Sequence, residues 1–179
     1  MSTISYNHTG EYDRYSRYLS IQNNESDRGL ALIAISLLDE ILTDVLRAYL
    51  LKGSHTKSIF NGPNALVSSF YNKLNLCRAL ALISENEYIV MDCLRAIRNH
   101  FAHSLEATFD DKKLNNTFVK LRKVTDHWRA GEQEPDPNRR QFADDAIILA
   151  ARLNGRSNFS RRVSINDREF DSNKKSEWK

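Results

Sequence analysis

Between Arg95 and His103 the chain places Arg95, Arg98, Asn99, His100 and His103, five cationic or hydrogen-bonding side chains crowded into the last turns of an apolar-striped helix. Arg98 and His103 are the pair that could do chemistry. A neutral imidazole can take the proton from a ribose 2′-hydroxyl, while a guanidinium holds the scissile phosphate and offsets the charge that builds on it. Asn99 is placed to orient one of the two. The reaction so described is metal-independent RNA cleavage, and it requires no cofactor. The same residues also have a structural reading. A basic helix end complements the helix dipole, with His103 donating to a last-turn carbonyl and Arg98 paired to Asp92 or Glu106.

Spacing limits what these groups can do together. On a continuous helix the five steps from Arg98 to His103 turn through roughly 140° net, so the two do not share a face, whereas Asn99 and His103, four apart, do. Convergence of Arg98 and His103 needs a bend or fraying at the helix end, or a second chain. His100 and His103 are three apart, but no carboxylate or cysteine at ligand spacing completes a metal set, and packing is the better account of them. The adjacent pairs Asp39-Glu40 and Asp144-Asp145 read as solvated helix surface. The sequence contains no Gly-rich phosphate loop, no Gly-x-Ser-x-Gly elbow and no zinc-finger spacing.

The element that must hold the cluster is the stretch from Glu85 to Ser104. Val90, Leu94, Ile97 and Phe101 recur at helical spacing along one face, and Ser84 with Glu87 forms a capping box at its start. Before it, a helix beginning after Ser26 is apolar over most of its circumference (Leu30, Leu37, Leu38, Ile41, Leu42, Val45, Leu46, Tyr49, Leu50), with a narrow polar strip at Ser36, Glu40, Thr43, Asp44 and Arg47. Such a helix belongs in the middle of a bundle or at an interface. Gly53 is placed to end it, and residues 54–64 read as a loop. A second helix is expected from Ala65 to about Ile83, with Leu66, Phe70, Leu74, Cys77 and Ala81 on one face. Asp110 or Asp111 would cap a further helix carrying Phe118, Leu121, Val124 and Trp128. Gly131–Pro137 reads as a loop. A last helix from Asn138 to Asn154 shows Phe142, Ala146, Leu149, Ala150 and Leu153.

The fold class this predicts is all-α, a bundle of four to five helices over residues 26–154, dimerising through its long apolar helices. Residues 1–25 form a polar segment in which Tyr12, Tyr15, Tyr18 and Leu19 have the spacing of a short amphipathic helix. Residues 155–179 read as a flexible basic tail. The net charge of +3 sits in that tail: from Arg156 onward there are seven Lys/Arg and four Asp/Glu, leaving nineteen of each sign before it. A net-neutral body gives no general attraction for nucleic acid. Cys77 and Cys93 fall on apolar helix faces, and neither a signal peptide nor a membrane span is legible, so a soluble protein of the cytoplasm with buried thiols is expected.

Several stretches resemble the mannitol operon repressor family: LLDEIL in the long apolar helix, then NGPNALVSSFYNKLNLCRALALI, SENEY and LRAIRNHFAH, with FADDAIILAARL extending the similarity to about Leu153. That resemblance implies an all-helical bacterial protein of the cytoplasm with transcriptional repression as its role. It supplies no DNA-reading element, and no helix-turn-helix with a basic recognition face is legible, so contact with DNA would need a partner protein or the tail. The segment RNHFAH also resembles the signature of the HEPN superfamily, helical proteins in which an Arg, an Asn and a His at this spacing form a ribonuclease site across a homodimer. Carried over, that touches Arg98, Asn99 and His103. The expectation is therefore a repressor-like regulator acting through protein contacts, with a metal-independent ribonuclease of toxin or defence type as the alternative. A homodimer is expected in either case, with a protein or RNA as partner.

Overall fold

The computed structural model describes residues 24–50, 52–62, 65–128 and 137–154, together with Ser16, Tyr18 and Arg156. Among these the chain is all-helical, with no strand. The helices are α1 (Asp27–Tyr49), α2 (Ser54–Phe60), α3 (Phe70–Ala79), α4 (Glu85–His103), α5 (Asn115–Thr125) and α6 (Asn138–Leu153), with short 3-10 turns at Lys112–Leu114 and Asp126–Trp128. The expected Gly131–Pro137 loop and the body of the tail lie outside the described residues, apart from Pro137 and Arg156. Of the amphipathic N-terminal segment, only Ser16 and Tyr18 are described, and Tyr18 is buried in the core.

α1 lies inside the bundle, packed on α3, α4 and α6, while α4 packs on α1, α3, α5 and α6. The apolar circumference of α1 is used within one chain: Leu30, Leu37, Leu38, Leu42, Val45 and Leu46 are all buried. The inward stripe of α4, Val90, Leu94, Ile97 and Phe101, is fully buried, as is the α6 set of Phe142, Ala146, Leu149, Ala150 and Leu153. At the start of α1, the Ser26 hydroxyl accepts from the Gly29 amide at 3.1 Å and satisfies one of the unpaired first-turn donors. Both bonds of the Ser84/Glu87 capping box are present, at 2.8 and 3.3 Å.

Four boundaries differ from those expected. α1 ends at Tyr49 with Leu50 as its extended C-cap, and Gly53 stands instead just before α2, so 54–60 is a helix rather than a loop. α3 is shorter than expected. It ends at Ala79 because Ala81 adopts the left-handed conformation (φ 54°), with Ala81 N–H bonded to Arg78 O and Leu82 N–H to Cys77 O. These two bonds make a Schellman turn without the usual glycine. Leu66, expected on the inner face of this helix, precedes it and is exposed. Asp111 precedes the Lys112–Leu114 turn without making a side-chain cap bond. Asp145, expected on the surface, is buried, and its Oδ2 accepts from Gln141 Nε2 at 2.7 Å and from Thr125 Oγ1 at 3.4 Å.

Candidate functional site

The end of α4 is anchored from three sides. Arg28 Nη2 donates to the Ser104 carbonyl at 2.5 Å, taking up an acceptor at the helix C-terminus that has no partner within the helix. His100 Nε2 meets Asp111 Oδ2 at 2.6 Å. That hydrogen bond is the main reason the Asp111 carboxyl lies below its ordinary range, helped by the Thr108 amide. Below them Phe101 packs edge-on against Phe109 at 4.7 Å, and Phe109 in turn reaches Phe142 at 5.1 Å. Phe109, Asp111 and the chain between them thus brace the helix tip, so His100 is a structural residue here.

The five polar groups of α4 separate into different surroundings. Arg95 pairs with Asp92 through two nitrogens, at 3.0 and 2.7 Å, and lies 4.8 Å over the Tyr71 ring. Of the two carboxylates expected to hold Arg98, Asp92 therefore belongs to Arg95, and Glu106 is exposed and makes no bond to Arg98. Arg98 Nη1 donates to Asn99 Oδ1 at 3.2 Å, and no ion pair joins Arg98 to a carboxylate among the described residues. His103, the last residue of α4, is exposed.

Arg98 and Asn99, together with the Asp92-paired Arg95, line a groove of about 530 Å³ between α1, α3 and α4, with Leu32, Ile35 and Phe70 as its apolar part and Asp39, Glu40 and Tyr71 at its border. Asp39 is tied to Lys73 at 2.6 Å through Oδ2. Two atoms here are shut off from solvent without a partner, Asp39 Oδ1 and Arg98 Nε. A buried polar atom left unpaired costs about 1–3 kcal/mol, so a molecule entering the groove would find one acceptor and one donor to satisfy. His103 is not part of the lining. One chain thus brings Arg98 and Asn99 together and leaves His103 outside, as the five-residue spacing implies.

Asp39 was not legible as a groove residue: an adjacent acidic pair on a helix surface gives no sign that Lys73 reaches one of its members across 34 residues. No group of His, Cys, Asp and Glu that could hold a metal is present among the described residues, and no described helix is long and apolar enough to cross a membrane. Compared with known protein families, curated proteins and solved structures, the chain matches none. The resemblances carried by RNHFAH, by the motifs before it and by FADDAIILAARL after it rest on those residues alone.

Proposed function

We propose that the protein binds single-stranded RNA in the groove between α1, α3 and α4 and cleaves it without a metal. The observation that carries this reading is Arg98, which lines an open groove beside Asn99 while the nearby Asp92 is taken by Arg95. Asn99 holds one edge of the guanidinium and leaves further donors for a phosphate. His103 takes the 2′-hydroxyl proton, the 2′-oxygen attacks the adjacent phosphorus, and the 5′-oxygen leaves with a proton from the imidazolium. The products are a 2′,3′-cyclic phosphate and a 5′-hydroxyl end. Since His103 lies outside its own chain's groove, the base comes from a second copy. Leu32 and Tyr71 at the groove and Leu105 beside His103 are exposed apolar side chains available to that contact.

The test is RNA cleavage in EDTA by wild type, Arg98→Ala and His103→Ala. Each variant is expected to lose about a hundredfold or more in rate. Mixing the two inactive variants is expected to restore part of it, because one groove of the mixed dimer keeps both groups. Equal activity in all three proteins ends the ribonuclease reading.

A second reading, a repressor-like regulator acting through protein contacts, is favoured by Asp39 and Glu40, whose carboxylates border the same groove and oppose an anion. A basic protein segment would suit them. On this reading Asp39→Asn weakens repression in a reporter strain while RNA is left intact, and sequence-selective binding of a promoter fragment by the purified protein alone would contradict it.

A further inference from the structure

The polar strip of α1 continues past the groove. Ser36, Glu40, Thr43 and Arg47 follow at spacings of four, three and four, so at about 100° per residue they stay within roughly 60° of one line. Ser36 and Glu40 border the Arg98 groove, and Arg47, about 10 Å further along the helix at 1.5 Å per residue, opens onto a second one. This second pocket, of about 460 Å³, lies between the end of α1 and α2 and is lined by Arg47, Lys52, Lys57, Phe60 and Asn61, with no carboxylate in its lining. Asp44, three residues before Arg47, lies outside it.

The three cations are exposed, and Arg47 is held with its guanidinium 5.2 Å over the Phe60 ring. An oriented guanidinium and two exposed ammonium groups beside an aromatic ring have the composition of a surface that tracks a phosphate backbone. The body of the protein carries no net charge, so a pocket with three cations and no acid is a local departure that its environment does not explain.

We infer that this pocket holds the backbone of the same single strand of RNA that enters the Arg98 groove, the strand running along α1 from Arg98 to Arg47, Lys52 and Lys57 with its phosphates turned away from the Glu40 and Asp44 carboxylates on the way. The inference rests on the RNA reading above and assigns the distal part of the substrate track. It makes the basic pocket a positioning surface for the strand, with no part in the bond-breaking step.

The experiment uses the full chain and a short fluorescein-labelled single-stranded RNA carrying 2′-O-methyl groups, which cannot be cleaved, with fluorescence anisotropy followed across a salt series. The variant Arg47→Ala/Lys52→Gln/Lys57→Gln is expected to bind about tenfold more weakly or worse. The slope of log affinity against log salt should fall by about two, since each phosphate contact on a single strand contributes about 0.7. A Lys52→Arg/Lys57→Arg variant keeps the charge and is expected to keep both affinity and slope. If wild type binds the RNA and the neutralised triple variant, shown folded by its melting curve, matches it in affinity and slope, the track is overturned while the Arg98 groove stands. If wild type does not bind the RNA, or if polyglutamate displaces it as readily as unlabelled RNA does, the inference is overturned with the RNA reading or in favour of an acidic protein partner.

Discussion

Arg156 closes a bidentate pair on the buried carboxylate of Glu87, with Nη2 2.7 Å from Oε1 and Nη1 2.9 Å from Oε2. The Ser84 amide adds a third bond at 2.8 Å, and Arg156 also donates to the Leu82 carbonyl at 2.8 Å. The residue just beyond α6 is thereby fastened to the first turn of α4. Arg156→Ala leaves Glu87 buried with Arg152 only at 3.7 Å. With Arg156 itself partly exposed, the cost is expected at about 2–3 kcal/mol, a fall of roughly 5–10 °C in melting temperature. An unchanged melting curve would show that this pair contributes nothing.

The same carboxylate gives the fold an acid limb. Burial alone would raise the Glu87 carboxyl, but the Arg156 and Ser84 hydrogen bonds outweigh it and hold it below its ordinary 4.5. A group depressed in the folded state contributes fully above its unfolded value and loses that contribution as the pH falls through the folded one. The gap in urea midpoint between wild type and Glu87→Gln is therefore expected to be constant from pH 7 down to about 5 and to shrink below about 4.5. A gap that widens in acid would contradict this.

Ala81 sits in a conformation that costs an L side chain about 1–2 kcal/mol and a glycine almost nothing. Ala81→Gly is expected to stabilise the protein by about 1 kcal/mol, raising the melting temperature by roughly 2–4 °C. Loss of stability would mean that α3 does not end where described.

Arg98 and His103 should separate in stability. His103 is exposed, so His103→Ala is expected to change stability by no more than about 0.5 kcal/mol. Arg98→Met removes a buried donor that has no acceptor and is expected to leave stability unchanged or raise it by about 1 kcal/mol. Denaturant melts decide it; a large loss with Arg98→Met would make Arg98 a structural residue.

The two thiols should be silent in the native state. Burial pushes Cys77 up to about 12 and Cys93 to about 11, where Lys120 pulls the other way and Asp92 and Asp145 add a little to the rise. Both are expected to resist a disulfide reagent at pH 8 and to react at the rate of unfolding when denaturant is added. Prompt reaction of either would show that its helix opens locally.

The sequence made legible whatever follows from periodicity. The buried stripes of α1, α4 and α6 and the capping box at Ser84 could be named from spacing alone, because each depends on residues within a few positions of one another. The end of α3 could not, since a non-glycine residue at a left-handed position leaves no compositional mark. Nor could the pairing of Asp111 with His100, or of Asp39 with Lys73, because a polar residue on a helix looks alike whether it faces solvent or a side chain from a distant helix. The Arg98 groove was half legible: the cluster was visible, but its division into an Arg95 paired with Asp92, a bracing His100 and an Arg98 held only by Asn99 depends on packing.

Glu87 waits for a counterion encoded 69 residues later. During synthesis the opening turn of α4 leaves the ribosome long before Arg156 does, and a carboxylate in that state resists burial. The bundle reaches its full stability only once α6 and Arg156 have emerged, so the opening turn of α4 is secured by a residue from the far end of the helical order and not by its sequence neighbours alone.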